Sequence, residues 1–427
     1  MSGGRAFEIA RRHITPWPDK ARTALLTDIA DGDSPLDQAL TTVFPGPESF
    51  TGEDVVEVWT HGGHAVPLSV AAAFIRSGAR QADAGEFTRR AVLNGKLDLV
   101  QAEGLGELVA ARSGAMQRAA LSQLHGGLSR KLVELRGQFL SLEALIAYEI
   151  DFPEEDDGPV DEAQITLASR QIVKELEALL ATTSLGKVIR DGAVVVIAGP
   201  PNAGKSSLFN ALLGTARAIV TDVPGTTRDA IEAVIDIGEW PLRLVDTAGL
   251  RAASGQIERL GIEISERYMK SADVVLACAD SISQLESTAM KVRALTLAPV
   301  ICVKTKADTD DMTSRERGAK SDAVFVSAEL RTGLEQLVDR ITGRLRTTYG
   351  EHGTDAPMLT TARQTQAIET ALAEMRSFLT VRSNGQVPAT IAAVHLRECV
   401  RVLEELIGAV DIEDVLDTLF STFCVGK

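Results

Sequence analysis

An apolar, β-branched run from Ala193 to Ala198 leads directly into Gly199-Pro200-Pro201-Asn202-Ala203-Gly204-Lys205-Ser206. This is the glycine, lysine and hydroxyl spacing of a phosphate-binding P-loop. The pattern dictates local structure as well as chemistry, since a strand must end at the glycine-rich turn and a helix must open at the phosphates. Ser206 to Leu213 is therefore read as that helix. Asn202, Ala203, Gly204 and Ser207 then belong to a phosphate-wrapping loop whose glycines let backbone amides curl around the ligand. Lys205 reaches the terminal phosphates, where it counts as catalytic, and the Ser206 hydroxyl can ligate Mg²⁺.

Three signals downstream, in order, turn a nucleotide site into a GTP site. Val223 to Asp229 follows the first helix as a threonine-bearing loop, with Thr226 and Thr227 inside it. A threonine there binds Mg²⁺ only while the γ-phosphate is present, and Thr227 is assigned that role beside Ser206. Leu242 to Val245 is a strand ending in Asp246-Thr247-Ala248-Gly249, with Asp246 as the metal-side carboxylate and Gly249 freeing the backbone beside the γ-phosphate. Pro299 to Lys304 leads into Thr305-Lys306-Ala307-Asp308, where the Asp308 carboxylate can accept from guanine's ring N–H and amino group. Adenine offers no such donor pair. Ser327-Ala328, after the strand Ala323 to Val326, resembles the last guanine-contact loop.

Two departures carry consequences. Thr305 stands where most GTPases have Asn, so its hydroxyl is expected to take over part of the tethering of the P-loop while Asp308 keeps the base selectivity. Leu250 follows Asp-Thr-Ala-Gly where many relatives have a water-orienting Gln. Water must then be oriented from elsewhere, and an arginine or a cation must neutralise the transition-state charge. Asn202 has two readings: a residue suited to the tight turn, or a ligand for a monovalent cation.

Residues outside this core resemble one family. Phe44 to Asp54 (Phe-Pro-Gly-Pro-Glu-Ser-Phe-Thr-Gly-Glu-Asp), Glu57 and His61-Gly62-Gly63 form one block. Gly85 to Ala91 with Leu93 to Leu99 form a second, and Cys424-Val425-Gly426-Lys427 closes the chain. Together they resemble the MnmE (TrmE) family of tRNA-modification GTPases over nearly the whole length. The resemblance implies a multidomain α/β and all-α protein, with a P-loop GTPase domain inserted in a helical bundle and preceded by a small α/β folate-binding-like domain. The corresponding bounds are 1–93 for the folate-binding-like domain, 94–187 and 351–427 for the two helical parts, and 188–350 for the GTPase domain.

The resemblance also implies a function. The family uses K⁺-dependent GTP hydrolysis and a formyl-tetrahydrofolate, with a flavin-dependent MnmG-type partner, for carboxymethylaminomethyl-type modification of the wobble uridine of tRNA at C5. The family acts as a homodimer. Carried over by position, Glu57, Lys96 and Lys427 match folate contacts, and Asn202, Thr221, Val223 and Thr226 surround K⁺. Glu258 matches the acidic residue that positions the hydrolytic water, filling the place left by Leu250, and Arg251 matches a functional switch II arginine. The family also has a folate-contacting arginine just before the Ser-Gly pair that here is Ser2-Gly3, and weakened folate binding is expected from a chain written from Met1. The alternative is a GTP-switched ribosome or RNA assembly factor without covalent tRNA chemistry.

Composition sets outer limits. A net charge of −15 over 427 residues excludes a uniformly basic nucleic-acid surface and leaves local clusters such as Arg89-Arg90 as RNA candidates. The four cysteines, Cys278, Cys302, Cys399 and Cys424, lack metal-ligand spacing and read as reduced cytosolic thiols. Val425-Gly426-Lys427 does not suit prenylation of Cys424. No stretch has transmembrane length, so a cytoplasmic protein without a membrane anchor is expected. Helical periodicity covers Leu97 to Arg112, Ala115 to Ile150 and Glu162 to Leu185, switches to strand near Lys187-Val188, and returns at Thr361 to Phe378 and Pro388 to Ile407.

Overall fold

The computed structural model describes residues 1–151, 162–215, 231–246, 266–309, 322–350, 356–383 and 388–409. Its first unit is an antiparallel sheet in the order β1 (Ile14–Thr15), β2 (Leu25–Asp31), β3 (Ser34–Phe44), β4 (Val55–Trp59). Alternation drives it: Thr27 and Ile29 of β2 turn inward while Leu26 and Asp28 stay exposed. Helices α1 (Ala6–Ala10) and α2 (Ala65–Arg76) cover the inner face, closing a core of Ala6, Ile29, Val43, Val56 and Val70. Helix α3 (Glu86–Leu93) follows.

Helix α4 (Leu99–Ala110) opens with a reciprocal cap, the Asp98 carboxylate accepting from the Gln101 N–H while the Gln101 side chain accepts from the Asp98 N–H. The long helix expected from Ala115 to Ile150 is instead two, α5 (Gly114–Leu124) and α6 (Gly127–Asp151). The break is Gly126, whose φ of 78° ends the first helix in the left-handed region. Helix α7 (Glu162–Leu180) is likewise followed by a separate α8 (Thr183–Asp191). The change from helix to strand therefore falls at Gly192 (φ 84°), not at Lys187-Val188. Val188 and Ile189 are β-branched and adjacent to a strand, yet with Leu185 they form a buried helical stripe against the sheet.

The second sheet has the order β10-β9-β8-β5-β7-β6. Its strands are β5 (Ala193–Ala198), β6 (Ile231–Ile237), β7 (Trp240–Asp246), β8 (Val274–Ala279), β9 (Val300–Lys304) and β10 (Val324–Phe325). All pairs are parallel except β6 with β7. Helices α9 (Lys205–Thr215), α10 (Ile282–Arg293) and α11 (Leu334–Tyr349) connect or cover them. Every residue of β5 is buried, as a central strand covered on both faces requires. Because β5 sits between β7 and β8, the loop leaving it opens at the point where strand order reverses, the place where such sheets bind ligands.

After the sheet come α12 (Ala362–Ser383) and α13 (Ala389–Ile407). A single helical core joins Leu132, Phe139, Ile146 and Leu176 from before the α/β segment to Ile368, Phe378, Leu396 and Leu403 from after it. The returning chain crosses α8 at Gly186, where a Cβ would lie 2.0 Å from the Leu359 carbonyl oxygen, and the Leu359 N–H donates to Thr182 Oγ1 at 3.0 Å. It is then held to α4. Arg363 Nε and Gln364 Nε2 each donate to Glu103 at 2.7 Å, and Thr360 Oγ1 donates to Glu107 at 2.9 Å.

Burial pushes the Glu107 carboxyl up to about 7, with the Thr360 hydroxyl opposing the shift. Between its ordinary value and about 7 the folded protein keeps a proton that the unfolded chain has released, so stability falls as pH rises through that window. The loss is on the order of 1–3 kcal/mol. Glu107→Gln should flatten this dependence, gaining on the wild type between pH 5 and pH 8 in urea-unfolding midpoints. A wild-type-to-variant difference that is the same at both pH values would contradict the assignment.

Candidate nucleotide site

Close approach explains the first glycine of the loop. A Cβ on Gly199 would lie 2.3 Å from the Cys278 carbonyl oxygen, so β8 passes too near for any side chain. Asn202 and Gly204 both have positive φ, 61° and 73°. Asparagine tolerates that region, which gives Asn202 a conformational reason to stand there; its side chain is exposed. Lys205 is the first residue of α9, buried, with Nζ donating to the Pro200 carbonyl at 2.8 Å. Ala203 is buried under the loop, and Ser206 and Ser207 are exposed at the helix start.

The metal-side pair is assembled. Asp246 ends β7 beside Ile197 of β5 and is 1 % exposed, and Ser206 Oγ donates to its Oδ2 at 2.7 Å. One hydroxyl and one carboxylate oxygen suit a hard cation that completes its shell with phosphate oxygens and water, as Mg²⁺ does. Among the described residues no group of three His, Cys, Asp or Glu side chains forms a metal cage. The nearby Cys278 thiol is pushed up to about 12 by burial, which fits core packing and not a nucleophile.

The two loops expected to contact the base meet each other and the P-loop. Thr305 is buried, and its Oγ1 lies within donating distance of the Ala203 carbonyl (2.7 Å) and the Ala279 carbonyl (3.0 Å). The threonine thus ties the base loop to the P-loop, as expected of its hydroxyl. Lys306, with φ 54°, pairs with Asp280 at 3.3 Å. Asp308 is exposed, and a hydrogen bond from the buried Ser327 holds its carboxyl below the usual range. Ser327 Oγ also accepts from the Leu330 N–H at 3.1 Å. Sequence alone left Ser327 uninformative, because a Ser-Ala pair says nothing until its loop is placed beside Asp308. Lys304, whose Nζ donates to the Thr305 carbonyl at 3.0 Å, was read only as strand.

Thr221, Val223, Thr226, Thr227, Thr247, Ala248, Gly249, Leu250, Arg251, Glu258, Cys424 and Lys427 lie outside the described residues. In the N-terminal unit the two signature blocks do come together. Arg90 Nη1 donates to Glu53 at 2.8 Å, Arg90 Nη2 donates to Glu86 at 2.5 Å, and Asn94 Nδ2 donates to the Thr51 carbonyl at 2.6 Å. Gly52 is required there, since a Cβ would sit 3.0 Å from Asn94 Cβ. Arg90 is thereby bonded to two carboxylates of this unit. Glu57 is exposed on β4 beside the Met1 ammonium, and Lys96 is exposed after α3. A cavity of about 690 Å³ in this unit is lined by Arg5, Leu68, Phe74, Arg80, Glu86 and Arg90 among others. Among the described residues, neither Glu57 nor Lys96 lines it.

Comparison with known proteins now decides the family. Residues 1–96 match the family model described as the GTP-binding protein TrmE N-terminus, and residues 99–424 match the MnmE helical domain. A tRNA modification GTPase MnmE of Azorhizobium caulinodans is 40% identical, covering 100% of this chain and 94% of that protein. Proteins of the same name from Heliobacterium modesticaldum (40% identical, 92% of this chain and 86% of that one) and Aquifex aeolicus (37%, 99% and 93%) are similar throughout. The chain belongs to the MnmE family of tRNA-modification GTPases. Membership places the P-loop, Asp246 and Asp308 in an enzyme that hydrolyses GTP.

The Thr305 link can be isolated. Thr305→Val keeps the shape but leaves the Ala203 carbonyl without its hydroxyl donor, while the Ala279 carbonyl keeps the Thr305 N–H; the loss is typically worth about 1–1.5 kcal/mol. GDP and GTP should bind roughly five- to tenfold more weakly in equilibrium titrations, with the preference over adenine nucleotides unchanged. Unaltered affinity would show that the hydroxyl does not support the loop.

Proposed function

We propose that this MnmE-family chain couples K⁺-dependent GTP hydrolysis to carboxymethylaminomethyl-type modification of the wobble uridine of tRNA at C5, together with a flavin-dependent MnmG-type partner. The observation that carries the reading is one chain holding a guanine-nucleotide site, Ser206 with Asp246 and Asp308 with Ser327, beside an N-terminal unit whose two signature blocks close on each other through Glu53 and Arg90. A pure assembly switch has no need of the second element.

In this reading Lys205, Ser206 and Thr227 handle the β- and γ-phosphates and Mg²⁺, which neutralises charge developing on the phosphate oxygens. Asn202, Thr221, Val223 and Thr226 hold K⁺ where an arginine finger would otherwise place its charge. Glu258 orients the attacking water that Leu250 cannot, and Arg251 assists in switch II. Thr247, Ala248 and Gly249 contact the γ-phosphate side. Glu57, Lys96 and Lys427 hold the formyl-tetrahydrofolate. The protein acts as a cytoplasmic homodimer, and no described helix is long and apolar enough to cross a membrane. The helical core built from both flanks of the α/β segment supports insertion of the GTPase domain, 188–350, between helical parts 94–187 and 351–427, after a folate-binding-like unit at 1–93.

Wobble uridines in tRNA from cells with and without the chain, analysed by mass spectrometry, test the reading directly. The modified nucleoside should vanish with the chain; unchanged uridines alongside defective ribosomes would favour the assembly factor. In vitro, turnover in K⁺ should exceed turnover in Na⁺, and Asn202→Ala should abolish the difference. Charge supply at such transition states is worth up to roughly 10³–10⁵ in rate, which bounds the effect. Glu258→Ala should lower kcat while leaving GTP affinity within about twofold, because it acts on water and not on nucleotide. Equal rates in both ions, or a matching loss of affinity, would remove the respective role.

A further inference from the structure

The β6–β7 hairpin touches two parts of the molecule at once. At one end Ile231 pairs with Asp246, so the chain enters β6 directly after residues 216–230 and leaves β7 directly before 247–265, the segments holding the proposed switch residues. At the other end it reverses through Gly238 (φ 63°) and Glu239. About 16 Å of strand separates Ile231 from Asp236, at roughly 3.3 Å per residue.

At that distance Asp236 Oδ2 accepts from the Gly114 N–H at 2.5 Å. Gly114 is the first residue of α5, and an unsatisfied helix-start N–H at the positive end of the helix dipole favours a carboxylate. Ser113 caps the same helix through the Met116 N–H at 3.2 Å, so α5 starts partly on its own cap and partly on a side chain of the nucleotide-binding sheet. Gly114 admits the contact, since a Cβ would lie 3.2 Å from Asp236 Oδ2 and 3.3 Å from Arg118 Nη1.

Two further observations set this contact apart from ordinary packing. Asp236 Oδ1 is buried with no hydrogen-bond partner among the described residues, so the carboxylate is only half satisfied. A cavity of about 690 Å³ lies between Glu232, Ala233 and Val234 of β6 and Met116 and Val188 of the helices. Near its switch end the strand thus faces a cavity and is held there by the Tyr268 hydroxyl donating to Glu232, whereas near its turn it is gripped by α5.

We propose that Asp236 is a positioning residue through which a nucleotide-dependent shift of the β6–β7 hairpin is passed to α5 and the helical core. The proposal rests on the GTPase reading, and its test separates the two. Labels are placed at exposed Leu167 on α7 and Met290 on α10, with Cys302 and Cys424 replaced by serine, and labelled full-length protein is diluted with unlabelled. Pulsed-EPR distances are compared with GDP and with a non-hydrolysable GTP analogue, and nucleotide affinity is measured on the same samples. The wild type should show a state-dependent distance. Asp236→Ala should lose it, Asp236→Asn should keep part through its remaining acceptor oxygen, and affinity should stay within about twofold. Gly114→Ala should lose the shift without losing thermal stability, because alanine favours the helix while its Cβ displaces the carboxylate. An unchanged shift in Asp236→Ala and Gly114→Ala, or nucleotide-bound wild type without a shift, overturns the proposal. Absence of nucleotide binding would instead overturn the GTPase reading.

Discussion

The hydrogen bond from Ser206 to the buried Asp246 is the contact on which the rest of the site depends. It joins the first turn of α9 to the end of β7, so the P-loop cannot shift without moving the strand that roots the following loop. A carboxylate 1 % exposed is costly unless bonded, and the Ser206 hydroxyl supplies one such bond. The same economy governs the base side. Thr305 ties loop to loop through backbone carbonyls, and a hydrogen bond from Ser327 holds the Asp308 carboxyl below its usual range.

Placement of this site follows from strand order. With β5 buried between β7 and β8, the phosphate loop, Asp246 and the base loops all emerge at the same edge of one parallel sheet. The helical region meets the sheet elsewhere, through α8, through the segment around Leu359 and through Asp236 on α5. The α8 joint is apolar, through Leu185, Val188 and Ile189, whereas the Asp236 contact and the tie of the returning segment to α4 are polar. At the returning segment Glu103 accepts from Arg363 and Gln364, and Glu107 from the Thr360 hydroxyl. In the N-terminal unit Arg80 and Arg90 lower the Glu86 carboxyl to about 2, and Arg90 joins the two signature blocks through Glu53.

Much of this was legible in the sequence because the residues concerned have no conformational alternatives. Gly199, Gly204, Lys205 and Ser206 define a turn that only one strand–loop–helix unit can hold, and the helices at Leu97 to Arg112 and Pro388 to Ile407 have uninterrupted apolar stripes. Boundaries failed where two periods overlap. Val188 and Ile189 satisfy both a strand run and a helical stripe, and only packing on the sheet decides between them. Gly126 was read through, although Gly127 follows it, because a glycine inside a periodic segment does not announce its φ. Side chains whose meaning depends on distant partners were beyond reach: Asp236 and Gly114 are 122 positions apart, and Arg90 reads as basic surface until Glu53 and Glu86 are placed beside it.

Base selectivity is the most direct point at which to test the nucleotide site as a whole. In the proposed reading the Asp308 carboxylate accepts from the guanine N1–H and amino group, whereas an asparagine there would offer a donor suited to the second carbonyl of xanthine. Calorimetric titration of the wild type and Asp308→Asn with GDP and XDP reads this directly. GDP should be strongly preferred by the wild type and XDP by the variant, with the P-loop contacts to phosphate common to both. A variant that still prefers GDP would contradict the assignment of the Thr305 to Asp308 loop as the base-reading element.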